Sequence, residues 1–285
     1  PFLQRAVWYC TMRNMKVHST PVIFLILILI SSSLTGCFGG EEEGEYSGPI
    51  NLNIGVAETS GMIEIIKGQN NQTISENYVT FEFDFTQVNS EGSNIEEIML
   101  LPDDGSDPII QNPEDNAVIS YEYTTHGIFD ITLGAMDEKG NSHTKKMKLR
   151  VDYLLWSNIT NANDENIWVD TTPGSNTSVA PSRIHVVSDI TNPSGFLFGG
   201  DSAVTFKLID EAGNEVSSNT ETVADGGSTQ WETEYPNPNA GTWKMEYVAE
   251  GDNVDSNTVV MVHYPEEESE PVELDSSMSE NESED

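Results

Sequence analysis

Cysteine and positive charge are both scarce in this chain, and the two scarcities exclude more than any motif does. Of 285 residues only Cys10 and Cys37 are cysteines, so no disulfide can form beyond residue 37 within the chain. Without such staples stability must come from hydrophobic cores or from metal, which favours domains of about 100 residues over mini-domains. Lys and Arg number 12 against 48 Asp and Glu. Arg5, Arg13 and Lys16 precede Cys37, which leaves nine bases against all 48 acids and a formal charge of −39 beyond it. Binding phosphates needs cations that release counterions, so nucleic acid is excluded as a partner. Lying flat on anionic lipid is excluded for the same reason. A charge of this sign keeps an exported domain soluble and suits a salty environment.

Long apolar runs are equally scarce. The single run of nine, Val22 to Ile30, is too short to cross a hydrocarbon core of about 30 Å as a helix. Met15-Lys16 supplies a short basic start before it, and Ser31-Ser32-Ser33 leads on to Leu34-Thr35-Gly36-Cys37. This layout resembles the lipobox of prokaryotic lipoproteins. The resemblance implies that Leu34 fills an apolar pocket of the signal peptidase, that Thr35 and Gly36 let an extended backbone enter, and that the Cys37 thiolate accepts a diacylglycerol group. Two acyl chains give lasting attachment where one would be marginal. A lipid anchor on the extracellular face of the membrane is the expected location, in an archaeal or marine prokaryotic host. Residues 1–14, which begin at Pro1, read as an over-extended gene start with Met15 the initiator.

Beyond the anchor, residues 38–49 form an acidic stalk containing Gly39-Gly40-Glu41-Glu42-Glu43-Gly44-Glu45. Residues 265–285, rich in Glu and Ser, read as a disordered acidic tail. Between them the dominant period is two. In Tyr78 to Thr86, Val79, Phe81, Phe83 and Phe85 share one face and Thr80, Glu82 and Asp84 the other, the pattern of a half-buried strand. Phe129, Ile131 and Leu133 repeat it, as do Met147, Leu149 and Val151. No window carries a helical stripe longer than two turns, and turn residues recur every 8–12 positions. The expected fold is all-β: two tandem β-sandwich domains, residues 50–153 and 154–264, between disordered acidic segments. Asp137-Glu138-Lys139-Gly140-Asn141 and Asp210-Glu211-Ala212-Gly213-Asn214 each follow a strand and read as the same kind of hairpin turn.

The run from Tyr121 to Leu133, continued to Asn141, resembles the closing hairpin of PKD domains: an aromatic strand, a turn ending at Gly127, an alternating apolar strand and an Asp-x-x-Gly-Asn turn. The match covers roughly 35 residues. The Trp-Asp-x-Gly-Asp-Gly segment of that family is absent, and Ile98 to Asp107 stands in its place. The resemblance implies a PKD-like or immunoglobulin-like first sandwich serving as a spacer or a carbohydrate- or protein-contacting module. The second domain reads as immunoglobulin-like or jelly-roll-like, with Ala240-Gly241-Thr242-Trp243 similar to a strand entry of secreted C-terminal modules.

Candidate sites are few. Asp103, Asp104 and Asp107 around Gly105 offer oxygens of the kind Ca²⁺ prefers, though their spacing is not that of an EF-hand loop and suits a solvated turn as well. His126, His143, His185 and His263 stand in no zinc spacing. No Gly-x-Ser-x-Gly elbow and no cysteine beyond Cys37 offers a nucleophile, so no cofactor and no enzyme activity are expected. Asn71, Asn158, Asn176 and Asn281 fit the N-glycosylation pattern. Five of the nine bases beyond Cys37 fall within Lys139 to Arg150. They read either as protection of a sheet edge or as a docking strip for an acidic partner, the chain's own C-terminal tail included. These features together suit a non-enzymatic surface lipoprotein that binds a surface protein or polysaccharide or has a structural role in the envelope. The alternative is an accessory subunit that positions substrate for a secreted hydrolase or transporter.

Overall fold

The computed structural model describes residues 46–175, 177–195 and 199–274. The signal segment with Leu34, Thr35, Gly36 and Cys37, the stalk to residue 45, Asn176 and Asn281 lie outside the described residues. The described residues from Gly48 to Leu274 form one compact unit.

Among the described residues seventeen strands run in chain order. The first nine are β1 (Ile50–Asn51), β2 (Ser60–Lys67), β3 (Thr73–Asn77), β4 (Val79–Asp84), β5 (Asn89–Ser90), β6 (Ile95–Leu101), β7 (Ile109–Gln111), β8 (Val118–Tyr123) and β9 (Gly127–Asp137). There follow β10 (Ser142–Ala162), β11 (Asp164–Asp170), β12 (Arg183–Thr191), β13 (Ser202–Ile209), β14 (Glu215–Val223), β15 (Ser228–Pro236), β16 (Thr242–Glu250) and β17 (Val254–His263). A 3-10 turn at Gln69–Asn71 joins β2 to β3. The all-β expectation is met, and the fold is two β-sandwiches.

Strand side chains alternate between faces, and the alternation legible in the sequence fills two cores. In the first, Phe81, Phe83, Phe129, Ile131, Leu133, Leu149 and Val151 are buried together. The second collects Ile167, Val186, Phe206, Trp231, Trp243, Tyr247 and Val260. The second sandwich is regular, a sheet β11-β16-β13-β14 facing the β15-β12-β17-β10 part of a nine-stranded sheet. The first is less so. It packs β2, β6, β9 and the start of β10 against the two-stranded sheet β4-β8.

The two sandwiches share a strand. β10 runs unbroken for 21 residues. It pairs with β9 through Val151, with β17 from Tyr153 onward, and in parallel with β2 from Arg150 to Ser157. β10 runs across the expected boundary at 153/154 without a break, and Ile128 of β9 packs in the second core. Val151 belongs to the first core, Leu155 to the second, and Tyr153 packs against both.

Two further expectations need correction. The PKD-like run is not a hairpin. β8 pairs with β4, whereas β9 pairs with β6 and β10, so the turn at Thr124–His126 crosses from one sheet to the other. The hairpin is β9–β10, closed by Asp137 to Asn141. The tail expected to be disordered from residue 265 makes defined contacts as far as Val272. Ser269 donates to the Lys148 carbonyl at 3.0 Å, and Val56 and Val272 exchange two bonds of 2.8 Å. The Arg150 guanidinium grips Glu268 with bonds of 2.9 and 2.8 Å and also holds Asp152. Charge-assisted two-bonded pairs of this kind are strong and directional. Glu266 to Leu274 is thus a strap laid across the basic strip, and the docking reading of that strip describes the fold better than edge protection alone.

Candidate functional site

The junction of the sandwiches is tied at several points besides β10. Asp103 sits at φ +65° in the first sandwich. Its Oδ2 accepts from the Asp130 amide and from the hydroxyls of Ser175 and Thr177, at 2.9, 2.7 and 2.7 Å. Gly174 of the second sandwich donates to the His126 carbonyl at 2.8 Å. A side chain there would collide with Thr125, whose Oγ1 lies 2.0 Å from an added Cβ. His126 is buried against Tyr153, and its Nδ1 stands 2.8 Å from the Tyr264 hydroxyl. Burial pushes the imidazole below its ordinary range, with Asp170 opposing, and pushes the Tyr264 phenol up.

At the far end of β10 a cleft of about 590 Å³ opens between the 3-10 turn of the first sandwich and β11 of the second. One wall is Gln69, Asn70 and Asn71. The other is Asp164, Asn166 and Trp168, which alternate on one face of β11, with Ile159 and Ala162 of β10 between. The turn is joined to the opposite side by side-chain hydrogen bonds: Asn71 donates to the Asn166 carbonyl at 2.7 Å and Gln69 to the Thr160 carbonyl at 2.8 Å. β11 ends its sheet, and among the described residues no strand lies beside its outer edge. Trp168 is 53% exposed, and Lys244 on the paired strand holds its ammonium 5.6 Å from the ring centroid.

Glu165 lines the same cleft from the core side and is 8% exposed. Its carboxyl accepts from Ser157 at 2.6 Å and from Ser256 at 3.3 Å. Burial nevertheless raises it above the ordinary carboxylate range, the two serines pulling the other way. Tyr247, its partner across the strands, is pushed up to about 12, chiefly by burial.

The residues singled out from the sequence are not brought together here. Asp103 ties the junction. Asp104 accepts from Tyr121 and Ser106, and those donors hold it below its ordinary range although burial works against them. Asp107 is exposed. Among the described residues no group of three or more His, Cys, Asp or Glu is placed to hold a metal ion, so the calcium reading of Asp103, Asp104 and Asp107 is withdrawn. Asn71 spends an amide hydrogen inside the cleft, whereas Asn158 is exposed on β10. Trp168 and Glu165 were missed because Asp164 to Asp170 reads as polar sequence. Its signal is the alternation of Glu165, Ile167 and Val169 with an aromatic at an outward position.

The fold and the cleft define an all-β protein of two β-sandwiches fused through one strand, with an open, polar, aromatic-edged site at their junction. No family model and no curated protein matches the chain. Among solved structures it is similar to one from a study of promiscuous specificity in carbohydrate-binding modules of the β-sandwich superfamily, at 15% identity over 67% of this chain and 93% of that one, TM-score 0.25. It is also similar to TmCBM61 in complex with β-1,4-galactotriose, at 12% identity over 59% and 84%, TM-score 0.21. A structure of infectious bursal disease virus Gx strain shares 9% identity over 79% of this chain and 69% of that one, TM-score 0.28.

Proposed function

We propose that this is an exported, lipid-anchored, non-enzymatic binding protein that offers the junction cleft to a ligand outside the cell. The course of β10 carries the reading. Near its start His143 Nδ1 lies 3.1 Å from the carbonyl of Ile50, where the chain enters the compact unit, and near its end Ile159 and Ala162 line the cleft. At about 3.3 Å per residue, the stretch from His143 to Ile159 reaches at most roughly 53 Å. The cleft thus lies at the far end of β10 from the residue where the chain enters the compact unit, and a PKD-like first sandwich would act as spacer. The lining supports recognition rather than catalysis. Its two carboxyls, Asp164 and Glu165, are neighbours on one strand and point to opposite faces, so they do not flank a common bond as paired hydrolytic acids must.

The accessory-subunit reading has an observation of its own. On the outer face of the large sheet Ile66, Trp156, Val259 and Val187 stand side by side in register across four strands, with Trp156 38% exposed. Such a row suits a protein partner. Fractionation and pull-down at native salt test both readings. The expected result is a chain that leaves the membrane with detergent but not with salt, becomes soluble as Cys37→Ser, and brings down envelope polysaccharide or surface protein. A stoichiometric hydrolase or transporter, lost on Trp156→Asp, would favour the accessory subunit instead.

A further inference from the structure

We infer that the junction cleft binds a neutral glycan, with Trp168 as the platform for one sugar ring and the surrounding amides as partners for its hydroxyls; this rests on the binding reading above. A pyranose ring has a face of C–H groups and a rim of hydroxyls. Its site therefore needs a flat apolar surface beside groups that both donate and accept hydrogen bonds. Trp168 supplies the surface and is the most exposed tryptophan among the described residues. Gln69, Asn71 and Asn166 supply carboxamides, each able to donate and accept. The bonds from Gln69 and Asn71 to the opposite wall each use one amide hydrogen, and a carboxamide has a second hydrogen and an accepting oxygen besides.

The wall is set before any ligand arrives. Asn70 and Asn71 hold φ of +58° and +57°. Non-glycine residues keep such angles only where the surroundings over-determine them, and they cluster at ligand clamps. A pre-formed site spends less of its interaction energy on ordering. On β11, Asp164, Asn166 and Trp168 lie on one face and span roughly 13 Å at about 3.3 Å per residue. That is a track longer than one sugar ring.

Charge selects the glycan class. No Lys, Arg or His lines the cleft, and Asp164 and Glu165 do, so the lining repels uronic acids and sulfated sugars, and Lys244 beside Trp168 is already paired with Glu246. The cation that the Trp168 ring can attract is already present, since Lys244 stands against it and is itself held at 2.5 Å by Glu246. An amine ligand would have to displace it.

The test uses the full chain in detergent. It is titrated calorimetrically with neutral gluco-, galacto-, manno- and xylo-oligosaccharides, with oligogalacturonate, and with an oligolysine peptide. Trp168→Ala, Trp168→Phe and Trp156→Ala run in parallel, each checked for an unchanged thermal midpoint. At least one neutral oligosaccharide should bind. Trp168→Ala should weaken it roughly tenfold or more, the loss expected for an aromatic anchor. Trp168→Phe should restore part of that loss, and Trp156→Ala should change nothing. Tighter binding of oligogalacturonate or oligolysine, no binding by any neutral sugar, or binding indifferent to Trp168 would each overturn the inference. If the sugars fail while the chain still captures envelope protein, the glycan assignment alone falls. If both fail, the binding reading falls with it.

Discussion

The two sandwiches solve the same problem with different materials. The second is built from long strands: its two facing sheets use strands of 7 to 10 residues besides β10. The first closes its core with β4 and β8, six residues each, and with the two-residue strands β1 and β5. It then borrows a strap, Glu266 to Leu274, from the far end of the chain. A sheet too short to cover its own flank can be completed by distant backbone, provided that something holds the distant segment. Here Arg150 does. The shared strand ties the two constructions together.

The largest expected effect comes from testing that tie. Trp243→Ala in the second core and Phe129→Ala in the first each remove a side chain that is 1% exposed or less, and each should cost about 3–5 kcal/mol. Because β10 serves both sandwiches, calorimetry should show one cooperative transition in both variants. Two separated transitions would show that the sandwiches fold independently.

Next comes the strap. Deleting residues 266–285 removes the Arg150–Glu268 pair and the bonds at Ser269 and Val272, and should cost about 2–4 kcal/mol. Glu268→Ala alone should cost about 1–2 kcal/mol, less in high salt, since both partners keep some exposure. Denaturant midpoints measure both. If the deletion lowers stability no more than Glu268→Ala, the backbone bonds of the strap contribute nothing.

The two turns give a finer comparison. In each, an aspartate Oδ1 accepts two backbone amides and its Oδ2 accepts the asparagine amide, with a glycine at φ +79° or +85°. Asp137 is fully covered and takes a further bond from Ser90, whereas Asp210 is half-buried. Asp137→Ala should cost about 2–3 kcal/mol, because its donors lose water as well as partner. Asp210→Ala should cost less, water replacing the carboxylate. Both carboxyls sit below their ordinary range, Asp137 against the push of burial and Asp210 chiefly through Asn214. Their contribution is therefore present above the ordinary value of 3.8 and lost as pH falls through it.

The smallest effect lies at the junction. His126 is held below its ordinary 6.5 by burial. The unfolded chain takes up a proton first, so stability is present above that value and lost as pH falls below it. His263 has the same sign, from burial opposed by Asp152. Glu165 has the opposite sign: raised above 4.5 by burial, it contributes stability below that value and loses it as pH rises. His126→Gln should flatten the decline between about pH 7 and 5, and Glu165→Gln should steepen it. Thermal midpoints across that range check both.

Much of the fold was legible because strand alternation is local. Phe81, Phe83, Ile131 and Leu149 announce an inward face from their spacing alone. The two Asp-x-x-Gly-Asn turns are equally local, since aspartate, glycine and asparagine meet within five residues. The strap was half legible: the charges of Lys148, Arg150 and Glu268 are plain, but opposite charge 118 positions apart does not say whether the two meet. The calcium reading failed because Asp103 and Asp104 found hydroxyl and amide donors on segments distant in sequence. Trp168 was overlooked because one outward aromatic on a polar strand differs from a loop residue only once its neighbours are known.

What the sequence by itself determined is the all-β architecture, the two cores, the turn chemistry and the acidic surface, since these follow from side-chain period, backbone preference and charge count. Only the tertiary structure decided that β10 continues through both sandwiches, that the acidic segment folds back onto Arg150, and that Trp168 of one sandwich faces Asn71 of the other across a cleft. Those features depend on which strands become neighbours, and strand pairing is settled by the collective fit of both cores rather than by any short stretch of chain.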